Sequence, residues 1–167
     1  MGRREVFRLK RKKPHPSLGV AKFGWGGFTE QELKFFKMLH ESEQKHSIRV
    51  YRNMETSFNN EFKDDKYLNQ YRDVLLKASL LHDIGKSKAK TSVLDKCVLV
   101  LFNKITNGNL RKVNSKKVQC YYNHPEYSYE ILSPIIDDEL LLYIIRNHHK
   151  NIDDVLIEHF KRMDDLS

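Results

Sequence analysis

Apolar residues along this chain recur at helical spacing, and no stretch alternates as a half-buried strand would. Thr29 and Glu32 form a capping box, and the apolar stripe that follows runs through Leu33, Phe36 and Leu39 and continues past Glu43 to His46. Residues 57–66, "SFNNEFKDDK", read as a loop or a short turn of helix. "YLNQYRDVLLKASLLHDIG" is then apolar at Leu68, Tyr71, Leu75, Leu76, Ala78, Leu80 and Leu81. Its second half is apolar on nearly every side, which marks a central buried helix, with Gly85 placed to end it. "SVLDKCVLVLFNKI" predicts a further helix started by Ser92 and Asp95, "TNGN" breaks it at Gly108, and "LRKVNSKK" is polar and basic. "PEYSYEIL" follows His124, with Pro125 suited to a first helical turn. "IIDDELLLYIIRNHHK" and "DDVLIEHFKRMDD" are periodic to the end. The fold class is therefore all-α, a bundle of five to seven helices without repeats. Residues 1–28 lack periodicity and carry Pro14, Pro16, Gly19, Gly24, Gly26 and Gly27, so they read as a basic, flexible arm before one domain at 29–167.

At 167 residues with 40% hydrophobic content, the chain suits one globular domain that buries about two-thirds of its unfolded surface. No apolar run approaches the roughly 18 residues a membrane span needs, so no membrane partner is expected. The N-terminal stretch "MGRREVFRLKRKK" has no apolar core behind it and does not read as a secretory signal. Gly2 invites a myristoylation reading, but Val6 stands where Ser or Thr is wanted. Cys97 and Cys120 alone make no disulfide framework, and a cytoplasmic setting is expected. The net charge of +8 is unevenly placed: residues 1–13 carry +6, residues 86–118 carry +8, and the rest sums to −6. A uniformly basic nucleic-acid binder would not be divided this way, although a basic arm adds loose affinity for polyanions, nucleic acid included. The arm reads equally well as a solubilising tail.

The polar residues that interrupt the helices carry the chemistry. In order they are His46, the His82–Asp83 pair, His124, the His148–His149 pair, and Asp164–Asp165. Imidazole and carboxylate together suit divalent transition metals, and a cation removes the cost of burying a carboxylate. Neighbouring helical residues point about 100° apart. His82 and Asp83 can therefore flank a cation held between helices, particularly where the Asp carboxylate bridges two ions. Taken singly, each His is most simply a core residue bonded to backbone, and that reading stands for His15, His40 and His159. Five segments around one buried helix are not explained that way.

These pieces resemble the HD-domain superfamily of metal-dependent phosphohydrolases, in the branch whose signature is "HDIGK". The resemblance covers roughly residues 33–165 and rests on "KHSIRVYRN", "LLHDIGK", "NHPEYSYEIL", "IIRNHHK" and "FKRMDD". In the last of these Met163 stands where a small residue is usual. It implies that His46, His82, Asp83 and the closing Asp164 hold one metal, with Asp165 the adjacent alternative. In dinuclear members His124 and His148 would hold a second, bridged by Asp83. His149 would be a third-site ligand or a substrate contact. Two divalent ions, with iron or manganese favoured over others, are the implied cofactors; in a mononuclear member His124 and His148 would instead contact phosphate.

Such a site fits hydrolysis of a phosphoester or phosphoanhydride, with Asp83 and Lys86 in the catalytic machinery and Lys86 and His149 on the substrate. The basic run after Lys86 suggests a phosphorylated small molecule such as a nucleotide. "HHK" is followed by "NIDDVL", without the "DGxGYP" segment of cyclic-di-nucleotide phosphodiesterases. Small HD-type hydrolases of diadenosine tetraphosphate are similar in size, although the basic insertion between Asp83 and His124 departs from them, and a deoxynucleotide monophosphatase is a further option. From other classes, a catalytically silent metal-binding HD signalling domain and a nucleic-acid-binding protein remain as alternatives. Oligomeric state is not predicted.

Overall fold

The computed structural model describes residues 28–89, 93–107 and 109–167. Among them are eight α-helices, two short 3-10 turns and no strand. The helices are α1 (Glu30–Met38), α2 (Glu41–Asn59), α3 (Lys66–Asn69), α4 (Arg72–Leu81), α5 (Val93–Ile105), α6 (Lys116–Leu132), α7 (Glu139–Asn147) and α8 (Val155–Asp165), with 3-10 turns at Ile84–Lys88 and Asn109–Lys112. The all-α expectation holds. Of the expected arm, residues 1–27 lie outside the described residues, as do Ser92 and Gly108; Phe28 packs its ring on Phe36, 5.8 Å between centroids.

The helix count exceeds the expected five to seven because two periodic stretches are each broken in two. Leu39 and His40 have extended backbone, and His40 Nδ1 accepts the N–H of Ser42 to start α2 afresh. Further on, the Asn69 side-chain amide donates to the carbonyls of Phe62 and Asp65, at 2.6 and 2.8 Å, and α3 stops there. Hydrophobic spacing cannot register either break, since the stripe resumes in phase on the other side.

α4 is the centre of the bundle and packs against α1, α2, α7 and α8. Leu75, Leu76, Ala78, Leu80 and Leu81 are buried on it, as its all-round apolar pattern requires. Each leucine so buried contributes about 1.5–3 kcal/mol. Lys77, on the same helix, reaches buried Glu32 at 2.7 Å. Glu32 also accepts the N–H of Thr29, so the capping box ties α1 to α4.

Two sequence expectations need correction. Pro125 does not sit in a first turn: α6 begins at Lys116 and carries the proline in its interior. A proline there removes the N–H that would meet the carbonyl of Tyr121. That carbonyl instead accepts Nδ1–H of His124 at 2.8 Å, which offsets the loss. Gly85 does not end α4 either, since the helix stops at Leu81 and Gly85 lies inside the following 3-10 turn. Its requirement is steric. A Cβ on Gly85 would lie 2.2 Å from the His124 carbonyl oxygen and 2.6 Å from the Ser128 nitrogen. Only glycine lets this turn press against the backbone of α6.

Candidate metal centre

Five segments of the chain deliver their polar side chains to one place. His46 stands on α2, His82 caps the C-terminus of α4, and Asp83 leads into the 3-10 turn. His124 lies within α6, His148 caps α7 with His149 after it, and Asp164 is in the last turn of α8. His82, Asp83 and His148 are completely buried, and His124 and Asp164 nearly so. His46 and His149 are the more solvent-facing members. Asp165, the alternative closing carboxylate, is exposed, so α8 turns Asp164 inward. His40 and His159 stand apart from the group: one caps α2, the other packs between Phe58 and Phe62 within 3.3 Å of Ser57 Oγ.

Asp83 occupies the middle. Its Oδ2 lies 3.3 Å from His82 Nε2 and 3.7 Å from His46 Nε2, while Oδ1 lies 3.3 Å from His124 Nε2. Asp164 Oδ1 approaches His46 Nε2 to 2.9 Å and His82 Nε2 to 3.5 Å. Three triads have ligand-type atoms mutually within 4.8 Å: His46–His82–Asp83, His82–His148–Asp164 and His124–His148–His149. The triads share His82 and His148, so the seven residues form one continuous cluster.

The histidines are aimed by a repeated device. His82, His124 and His148 each donate Nδ1–H to the carbonyl three residues earlier, at Ser79 (3.0 Å), Tyr121 (2.8 Å) and Ile145 (2.7 Å). Each of those carbonyls lacks an intrahelical partner, two because a helix is ending and one because Pro125 follows. Protonation at Nδ1 leaves the Nε2 lone pair facing the cluster, the tautomer a metal ligand needs.

Four buried atoms, His82 Nε2, His148 Nε2, Asp83 Oδ1 and Asp164 Oδ1, have no hydrogen-bond partner despite these close approaches. Leaving one such group unsatisfied costs on the order of 1–3 kcal/mol, and more when it is charged. Divalent cations held in the cluster would satisfy these atoms, and the imidazole–carboxylate donor set suits them. Electrostatics agree with that fit. Burial opposes a charged imidazole at His82, but Asp83 and Asp164 outweigh it and push the group up to about 10. Burial likewise opposes charge on Asp83, yet His82 and Lys86 hold its carboxyl well below the usual range. Burial lowers His124 to about 3 and His148 well below its ordinary value, so both are neutral and ready to ligate. Asp83 and Asp164 thus favour positive charge at this point, which a metal cation would supply while His82 ligates through its neutral Nε2.

Lys86 does not extend freely from the turn: its ammonium lies 2.6 Å from Asp83 Oδ2 and 3.1 Å from Glu43 Oε2. Glu43 was not among the sequence candidates. The available signal was its place one helical turn before His46 on α2. Ser128 was also missed, and nothing in the sequence marks it. Its hydroxyl donates to the His82 carbonyl at 2.6 Å and accepts the Gly85 N–H at 2.8 Å. It thereby joins the His82–Asp83 segment to the helix that carries His124.

The chain belongs to the HD domain family, whose model matches residues 44–167 and so spans every member of the cluster from His46 to Asp164. Comparison with curated proteins gave no match, and comparison with solved structures gave none.

Proposed function

We propose that this protein is a metal-dependent phosphohydrolase acting on a phosphorylated small molecule, a nucleotide in preference to other phosphoesters. The observation that carries the reading is Asp83: fully buried, it turns one carboxylate oxygen toward His82 and His46 and the other toward His124. A carboxylate shared between two ligand groups is suited to bridging two cations. His46, His82, Asp83 and Asp164 would hold one, and His124, His148 and Asp83 the other, with iron or manganese favoured by the mixed donor set. Bound there, such ions supply a water of lowered pKa and positive charge against the phosphoryl oxygens.

The remaining work falls to the chain. His82, His124 and His148 are held in one tautomer by their carbonyl bonds and need no reorientation during turnover. Lys86 is partly buried beside Asp83, where its ammonium can leave Glu43 for a phosphate oxygen while staying near the reacting centre. His149, exposed and with its Nε2 3.0 Å from that of His124, fits a substrate contact at the rim. The lysines beyond Lys86 favour a polyanionic substrate through long-range attraction.

The test is metal analysis of the purified protein together with a hydrolysis screen over mono- and polyphosphorylated nucleotides at several salt concentrations. Bound metal, turnover and a polyphosphate preference that weakens with salt support the reading. Metal without turnover points instead to a silent HD signalling domain. Salt-sensitive RNA or DNA binding without metal points to a nucleic-acid-binding protein.

A further inference from the structure

Among the described residues, half of the large apolar side chains left in water lie in one stretch of chain. Val100, Leu101, Phe102, Ile105 and Val113 are among the exposed large hydrophobics of the described residues, each 46–66% accessible. Four of them lie on the second half of α5. With about 100° between successive helical residues, Leu101 and Ile105 stack one turn apart, and Val100 and Phe102 flank them on either side. The opposite side faces the protein, because Leu99 is buried and Asn103 Oδ1 accepts the hydroxyl of Tyr122 on α6. α5 therefore presents a broad apolar face outward.

The charge around that face is of one sign. Between Asp95 and Glu126 the sequence has six Lys or Arg and neither Asp nor Glu. Lys104 is exposed on the apolar face itself, Lys112 is exposed on the 3-10 turn against which α5 is packed, and Lys116 and Lys117 are exposed at the start of α6, which follows that turn. The 30 residues from 96 to 125 thus carry +6; with residues 1–13 at +6, everything else sums to −4.

We infer that the outward face of α5 and its surrounding lysines form a docking surface for an anionic lipid membrane, on which the protein lies without spanning. No helix among the described residues is long and apolar enough to cross a bilayer, so contact is peripheral. Charge complementarity chooses this occupant. A second copy seated face to face would set Lys104, Lys112, Lys116 and Lys117 against their own counterparts. Nucleic acid would neutralise the cations and leave Leu101, Ile105 and Phe102 in water. Anionic lipid offers apolar depth beneath a negative headgroup layer, and lysine stems at the edge of an apolar face reach that layer naturally. The expectation that no membrane is involved rested on the absence of a span, which does not bear on a helix lying in the interface.

The experiment is flotation of the full chain with phosphatidylcholine vesicles, with and without phosphatidylserine, at low and physiological salt. Phosphatidylserine should raise the bound fraction by roughly tenfold or more, as several basic side chains near an anionic surface imply. Leu101→Ser with Ile105→Ser should abolish that binding, and Lys104→Glu with Lys112→Glu should weaken it and its salt dependence, both with an unchanged thermal melt. No binding to phosphatidylserine vesicles overturns the inference. So does binding that the Leu101→Ser, Ile105→Ser variant retains in full, which would place it on the N-terminal basic residues. A dimer in light scattering that this variant dissociates, or RNA binding that it leaves intact while vesicles are ignored, overturns it as well.

Discussion

The metal centre and the second half of α5 break the same rule in opposite directions. At the centre two carboxylates and three imidazoles are withdrawn from water; on α5, Val100, Leu101, Phe102 and Ile105 are left in it. Buried polar groups and exposed apolar patches are the two informative departures from ordinary burial. They are built differently. The centre is over-determined, since each deeply buried histidine is fixed by a backbone carbonyl and the turn bearing Asp83 is clamped to α6 by Gly85 and Ser128. Among the described residues, α5 is held by Leu99, the Asn103–Tyr122 bond and the 3-10 turn at Asn109–Lys112. A site that orients ions must be rigid, whereas a face that meets a fluid partner need only be presented.

The comparison can be tested in order of expected effect. Asp83→Ala strips the shared carboxylate: metal content should fall to background in elemental analysis and hydrolysis by roughly a thousandfold or more, since charge stabilisation of several kcal/mol is lost. Full metal content and rate in this variant would remove the basis of the proposed function. Gly85→Ala comes next. Its Cβ has no room against His124 and Ser128, so urea unfolding should show a loss of about 2–3 kcal/mol, accompanied by weaker metal retention. Unchanged stability would mean that the clamp between the turn and α6 is not needed.

Lys86→Met should leave metal bound and lower kcat/KM by roughly 10- to 100-fold, the loss of a charged hydrogen bond to substrate. If it empties the centre instead, Lys86 acts on Asp83 and not on the phosphate. His159 supplies a smaller effect away from both regions. Burial, and Arg162 beside it, lower this imidazole from 6.5 to about 4 in the fold. The unfolded chain therefore takes up the proton first, and stability should be full above pH 6.5 and decline as pH falls toward 4. His159→Phe should flatten that window in denaturant titrations at each pH, and an unaltered slope would mean that other groups set it. Least of all, Leu101→Ser with Ile105→Ser should shift stability by no more than about 0.5 kcal/mol, as befits exposed sites. A large loss would show that the face is core to the fold and not a surface.

The legible part of the site was its membership. His46, His82, Asp83, His124, His148 and Asp164 are polar residues at positions where the helical pattern demands apolar ones, and that conflict is visible in one dimension. His149 was legible as the second half of a pair. Glu43 was not, because a glutamate on an amphipathic helix ordinarily faces water, and the approach of Lys86 that helps to bury it is a tertiary contact. Ser128 and the contact made by Gly85 were hidden for the same reason: each depends on a turn some 40 residues away coming to rest against α6. Pro125 misled because proline in a helix is normally an N-terminal signal, and its cost here is offset by a side chain, His124, which is its immediate neighbour.

Sequence alone settled what is local. The 3.6-residue period made the chain helical, the all-round apolar pattern of residues 75–81 made α4 central, and the ordered His and Asp residues defined a candidate metal centre. Tertiary structure decided whatever depends on which faces meet. It turned Asp164 inward and Asp165 to water, set Asp83 between two groups of histidines, and left the apolar side of α5 uncovered. The reason is physical: periodicity records that a side chain has a preferred environment, but the environment it receives is fixed by helices packing across separations of 40 to more than 100 residues.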